Sequence, residues 1–139
     1  MQTNEQLLDL LENYLAQREL PTEPERLYDP IRYSLAGGGK RLRPMLLLLS
    51  CGLFADDVED RKSDVALPAA AAVEIFHNFT LLHDDIMDNA AVRRGKPSVC
   101  ARWGGNVAIL SGDAMLISAY RLLAQAPPAL LPRILEVFN

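Results

Sequence analysis

Between Pro68 and Asn89 the sequence runs without a further glycine or proline. A stretch that long exceeds any ordinary strand, so it predicts the longest helix of the chain, starting between Ser63 and Pro68 and ending at about Asn89. Its final turns concentrate the carboxylates of Asp84, Asp85 and Asp88, and the turn that follows, marked by Gly95 and Pro97, carries Arg93, Arg94 and Lys96. Every other segment can be asked whether it supports this juxtaposition of charges or adds chemistry to it.

The remaining segments are also helical in pattern, because none alternates apolar and polar residues over several positions. Leu7, Leu8, Leu11 and Leu15 form one stripe at helical spacing, in a segment that ends before Pro21. Leu27, Tyr28, Ile31 and Leu35 form a second, with a capping box expected over Thr22–Glu25, a break or kink expected at Pro30, and Gly37–Gly39 as its stop. Pro44 suits the first residue of a third helix reaching about Phe54, and Asp56–Asp64 reads as a solvated connection. Val107–Gln125, opened by Gly104, Gly105 and Asn106, is apolar nearly all round and is expected to be buried on most sides. A last helix follows Pro127 and Pro128, carrying Leu131, Ile134, Leu135 and Phe138. The sequence shows no repeat or linker and reads as one all-helical unit over residues 1–139.

Composition narrows the partners. A net charge of -4 and a pI near 5.1 argue against a nucleic-acid binder, which spreads positive charge over a whole face. The bases are instead clumped, Lys40, Arg41 and Arg43 in one group and Arg93, Arg94 and Lys96 in the other, which suits a small anion. The longest apolar run, Met45–Ala55, falls short of the roughly 20 residues that span a bilayer, and Met1–Leu10 lacks the features of a signal peptide. Cys51 and Cys100 have no metal-ligand spacing and are expected to be buried or half-buried free thiols in a reducing cytoplasm.

Asp84 and Asp88 are four apart and share a helix face, with His77 nearly on the same line and Thr80 between them. Like charges at that spacing are unfavourable, and the negative end of the helix dipole opposes both. A solvated acidic helix end is one explanation. The apolar neighbours Phe76, Phe79, Leu81, Leu82, Ile86 and Met87 favour another, a divalent cation; oxygen-only ligands suit Mg²⁺, which takes one or two carboxylates together with phosphate oxygens. His83 lies off that face and reads as a core histidine or one standing behind the ligands. Arg93 and Arg94 can fork onto phosphate oxygens or pair with the preceding aspartates. GGGKRLRP, Gly37–Pro44, has the wrong spacing for a P-loop and no Ser or Thr after Lys40, so it reads as a turn presenting Lys40 and Arg43 before a helix.

GGGKRLRP, then HNFTLLHDDIMD, then the RRGKP turn, in this order, resemble the N-terminal half of the trans-type isoprenyl diphosphate synthases, the polyprenyl synthetase family. The resemblance runs from about Leu27 to the GDAML segment at Gly112–Leu116, and DDIMD matches that family's first aspartate-rich motif in its uninterrupted form. It implies the N-terminal half of an all-α isoprenoid-synthase bundle around a central cavity, and a cytoplasmic, Mg²⁺-dependent homodimer. Asp84, Asp85 and Asp88 would hold Mg²⁺ against the diphosphate of an allylic substrate (dimethylallyl, geranyl or farnesyl), with Asp84 and Asp88 the direct ligands by the shared-face argument. Arg93 would contact that same diphosphate, and Lys40, Arg43, His77 and Arg94 would bind isopentenyl diphosphate. The implied reaction ionises the allylic diphosphate, and the isopentenyl double bond attacks the resulting cation before a proton is lost. Phe79, five residues before the motif, with Phe76 and the smaller Thr80, would floor the growing chain at a C15–C20 product, C20 preferred.

The family's second aspartate-rich motif has no counterpart, since the only acids after Asp88 are Asp113, expected to be a core acid or a solvated one, and Glu136. The chain therefore reads as a fragment, or as a naturally half-length relative. Two further readings stand beside it: a non-catalytic prenyl-synthase-like subunit, and a helical His–Asp metal phosphohydrolase using His77 and the His83–Asp84 pair. Without a facing metal motif, the purified 139-residue chain is expected to show little or no synthase activity in a product assay, and robust turnover by material of verified mass would contradict this.

Overall fold

Helical spacing carries over into structure. The computed structural model describes residues 3–54 and 59–139, with the backbone alone over 59–65. Seven helices and one two-stranded hairpin appear among the described residues: α1 (Asn4–Gln17), α2 (Glu25–Ala36), α3 (Leu42–Phe54), α4 (Glu59–Met87), β1 (Val92–Arg93), β2 (Lys96–Pro97), α5 (Val99–Trp103), α6 (Gly105–Leu123) and α7 (Leu131–Phe138). The fold class is all-α. None of these helices is long and apolar enough to cross a membrane.

Contacts divide the chain into two compact units, one of Met1–Arg18, Lys40–Glu74 and Ala119–Asn139, the other of Glu19–Gly39 and Ile75–Ser118. In the first, Leu7, Leu11 and Leu15 of the α1 stripe turn inward as their spacing predicts, whereas Leu8 is exposed and Leu10 packs on the core in its place. Leu11 is completely buried among Leu48, Ala66, Leu67 and Ala70, with Leu7, Tyr14, Leu15 and Cys51 packed around them. Thr3 caps α1 through a capping box with Gln6, a signal absent from the expectations above. Arg41 donates to Glu12 at 2.8 Å and to Glu74 at 2.7 Å, and the side chains of Arg41 and Glu74 are only 5% and 3% exposed. Burial opposes the charge on Arg41, but its two carboxylate partners outweigh that and raise its pKa. No residue of α7 is buried.

In the second unit, Ile31 of α2, Ile75 and Leu82 of α4, Val99 of α5, and Ala108 and Met115 of α6 are buried. Ser111 donates to the Leu27 carbonyl, tying α6 to α2. Tyr33 packs edge-on against Trp103 and donates to the Pro97 carbonyl, which fixes α2 against α5 and the hairpin.

Several expectations are corrected. Helix α2 starts at Glu25 with Pro24 as its uncapped N-cap, so Thr22 lies too far upstream for a capping box. Pro30 leaves α2 unbroken; its ring is fully buried, and that packing offsets the one hydrogen bond it cannot donate. Helix α3 starts at Leu42, two residues before Pro44, which still sits in the first turn, where the N–H it lacks would have no partner within the helix. Helix α4 is already formed at Glu59, and the rest of the expected connection, 56–58, lies outside the described residues. Helix α6 is not buried on most sides: Ile109, Leu110, Ile117 and Tyr120 are exposed. Asp113 is no core acid, its side chain being 56% exposed. The turn after α4 is a hairpin, and α5 follows it unannounced. Both cysteines are free and half-buried.

The Arg41–Glu74 pair generates a stability prediction. Glu74→Ala strands a buried guanidinium and is expected to cost about 3–5 kcal/mol by chemical denaturation, whereas Glu12→Ala, at a half-exposed partner, should cost under about 1 kcal/mol.

Candidate active site

The site is built on the last turn of α4 and the hairpin behind it. Asn89 turns into left-handed backbone (φ 49°) and ends the helix, and the chain returns as β1, paired with β2 in the register Val92↔Pro97 and Arg93↔Lys96. Two residues join the strands, Arg94 (φ 52°) and Gly95 (φ 76°), and both have the positive φ that a tight type I′ hairpin turn requires. Arginine is an unusual occupant of such a position, which carries backbone strain of order 1 kcal/mol.

This return places Arg93 against the aspartates. Its Nη2 donates to Asp85 Oδ1 at 2.6 Å, and its Nε approaches both carboxylate oxygens at 3.1 and 3.2 Å. Asp85 is buried at 4% exposure, while Asp84 and Asp88 are exposed. The hydrogen bonds to Asp85 raise the pKa of Arg93, burial opposes them, and the charges of Asp85, Asp84 and Asp88 add to the rise. The helix-end acids are thus unequal: one is committed to a guanidinium and two stand open.

Arg94 points elsewhere. It donates to the Gly38 carbonyl, and a side chain on Gly39 would start 3.0 Å from its guanidinium. Tyr33, Asn78, Asp85, Arg93, Arg94 and Lys96 are among the residues around a cavity of about 40 Å³, room for a few waters but not for a diphosphate. An anion of that size would have to sit at the exposed rim.

Lys40 and Arg43 are both exposed and belong to the other compact unit, Lys40 just before α3 and Arg43 in its first turn. Arg41, between them in sequence, is occupied by Glu12 and Glu74. His77 is half-buried on α4 and its carbonyl accepts from the Thr80 hydroxyl at 2.7 Å. Phe76 and Phe79 pack with ring centroids 5.5 Å apart, and Phe79 packs edge-on against His83. Sequence reasoning passed over Asn78, buried at 2% exposure, and Tyr33; an amide between the apolar residues Ile75, Phe76 and Phe79 was the available signal for the first.

Among the described residues no three His, Cys, Asp or Glu side chains form a group able to hold a metal, and Asp85 is paired with Arg93. The donor set still fits Mg²⁺. Two exposed carboxylates four residues apart, Asp84 in the last turn of α4 and Asp88 just past its end, supply what that ion takes from protein when phosphate oxygens and water complete its octahedron. His83 Nε2 lies 3.3 Å from the Ile109 carbonyl oxygen, against α6.

A family model described as polyprenyl synthetase matches residues 24–139. A geranylgeranyl diphosphate synthase of Methanosarcina mazei is 46% identical over 104 residues, covering 75% of this chain and 31% of that protein. A geranylgeranyl diphosphate synthase of Cyanophora paradoxa is 42% identical over 133 residues, 89% of this chain and 43% of that protein. A crystal structure of geranylgeranyl pyrophosphate synthase superposes with a TM-score of 0.91 at 47% identity, over 99% of this chain and 41% of the other. A geranyltransferase from Helicobacter pylori, crystallised with magnesium and isoprenyl diphosphate, gives a TM-score of 0.84 at 26% identity over 98% of this chain and 47% of the other. The chain thus spans less than half the length of these relatives.

The Asp85–Arg93 fork predicts a graded response. Arg93→Lys keeps the charge but not the two-point geometry and should destabilise by roughly 1–2 kcal/mol, and Arg93→Ala by roughly 1.5–3 kcal/mol, in urea unfolding. Equal stability of the wild type and both variants would show that the fork is not held in solution.

Proposed function

Because the chain belongs to the polyprenyl synthetase family, we propose that it supplies the first aspartate-rich motif and the isopentenyl diphosphate contacts of a Mg²⁺-dependent, short-chain prenyltransferase. The enzyme condenses an allylic diphosphate (dimethylallyl, geranyl or farnesyl) with isopentenyl diphosphate to a C15–C20 product, with C20 favoured by the geranylgeranyl synthases among its relatives. The reading includes a cytoplasmic homodimer. It also includes a second metal motif from polypeptide corresponding to the remainder of those relatives, this chain being the N-terminal part of such a domain. A non-catalytic subunit is the weaker reading, because the DDIMD and RRGKP residues that chemistry would need are all intact.

The observation that carries the proposal is the division of labour among neighbouring charges. Asp84 and Asp88, exposed and one turn apart, would hold Mg²⁺. Bound there, the ion would neutralise charge growing on a departing pyrophosphate. Asp85 keeps Arg93 at the same helix end, so its positive charge is already in place when the allylic diphosphate arrives. Arg94, on the two-residue hairpin turn and bonded to the Gly38 carbonyl, is assigned to the isopentenyl diphosphate, and the family resemblance assigns Lys40, Arg43 and His77 to the same substrate. Phe79, flanked by Phe76 and Thr80, floors the growing chain.

Steady-state kinetics of the full-length enzyme separate these roles. Arg94→Ala is expected to raise KM for isopentenyl diphosphate about 10–100-fold and leave the allylic KM unchanged. Asp84→Ala should instead reduce kcat by about 100-fold or more. A rise confined to the allylic KM in Arg94→Ala would overturn the assignment.

A further inference from the structure

His83 precedes the aspartate cluster by one residue, yet its ring lies against α6. A Cβ on Gly112 would fall 2.4 Å from His83 Nε2 and 2.6 Å from Cδ2, far inside contact distance, with Leu82 Cδ2 at an ordinary 3.5 Å. The Nε2 atom is 3.3 Å from the Ile109 carbonyl oxygen, which can only accept, so the ring donates from Nε2. The remaining polar neighbour is Asp113, whose exposed carboxylate is 3.7 Å away. One turn earlier, Phe79 packs edge-on against the same ring, with centroids 4.7 Å apart at 67°, and Phe76 extends the row.

Gly112 lies inside α6 and is buried. Glycine within a helix is less stable than alanine, and no positive φ calls for it here. What glycine provides at this position is room. The imidazole fills the space a methyl group would occupy, its Nε2 faces the Ile109 carbonyl one turn back on α6, and Phe79 packs edge-on against the same ring.

We propose that Gly112 is a specificity-determining position: the notch that seats His83 and, through that ring, fixes Phe79 and with it the length of the prenyl product. This rests on the reading of Phe79 as the floor of the growing chain. The mechanism is one of position, because neither Gly112 nor His83 needs to touch substrate. A seated His83 leaves Phe79 one packing arrangement, and an unseated one lets the floor give way.

Thermal unfolding of the full-length protein tests the notch apart from product length. Gly112→Ala should lower Tm by roughly 2–8 °C in the wild type, where the methyl group meets the ring. In a His83→Ala background the same substitution should leave Tm unchanged or raise it, as alanine in a helix ordinarily does. The same sign and size in both backgrounds would overturn the notch. If Gly112→Ala alone fails to fold, recovery of folding in the double variant is the predicted result, and its failure to recover is the contrary one.

Product analysis then tests specificity. Gly112→Ala and Phe79→Ala are both expected to shift products to chains at least one C5 unit longer. Longer products from Phe79→Ala but not from a folded Gly112→Ala would overturn the specificity role and leave the floor standing. Unchanged products from Phe79→Ala would remove the floor, and the specificity role of Gly112 with it, while the Tm comparison still decides whether the notch exists.

Discussion

Aspartates at the carboxyl end of a helix repel one another and face the negative end of the helix dipole, and the guanidinium of Arg93 is what makes the arrangement tenable. The fork onto Asp85 neutralises the one carboxylate of the three at this helix end that is buried. It also ties the hairpin to the helix, so that the next residue, Arg94, is carried to a fixed place on a two-residue turn. Removing that pair would disturb the charge balance, the helix end and the turn together. The carboxylates of Asp84 and Asp88 are exposed, and under the proposed function a divalent cation would offset their electrostatic cost.

The basic residues divide in the same way. Arg41 is structural, sealed between Glu12 and Glu74 in one compact unit, while its neighbours Lys40 and Arg43 are exposed. Arg93 is held by a carboxylate and Arg94 by a backbone carbonyl. The chain belongs to the polyprenyl synthetase family, and the proposed reading assigns the exposed or carbonyl-held bases to isopentenyl diphosphate, Arg93 to the allylic diphosphate and Arg41 to the scaffold.

Much of the fold was legible because spacing is a physical requirement of helix burial. The Leu7, Leu11 and Leu15 stripe packs as its period demands, and Gly104–Asn106 opens α6 where glycine and asparagine suggest it. Pro30 misled because its cost as a helix breaker is local, whereas its buried ring gains from partners elsewhere in the chain. Two-residue strands and a five-residue helix are too short to carry a period, so β1, β2 and α5 could not be read. Ile109, Leu110 and Ile117 look like core residues in sequence, and only the fold reveals which side of α6 is covered. In the site, the opposite charges of Asp84–Asp88 and Arg93–Arg94 were plain. Which acid takes the arginine depends on the return angle of the hairpin, which no spacing encodes.

The central claim is that the acids are unequal, with Asp84 and Asp88 ligating the metal and Asp85 holding Arg93. Mn²⁺ titrated into the full-length protein with inorganic pyrophosphate, and followed by electron paramagnetic resonance, tests it directly. The account predicts that Asp84→Asn and Asp88→Asn each weaken Mn²⁺ binding by about tenfold or more, while Asp85→Asn leaves it within about threefold of wild type. A loss of Mn²⁺ in Asp85→Asn as large as that in Asp84→Asn would contradict it.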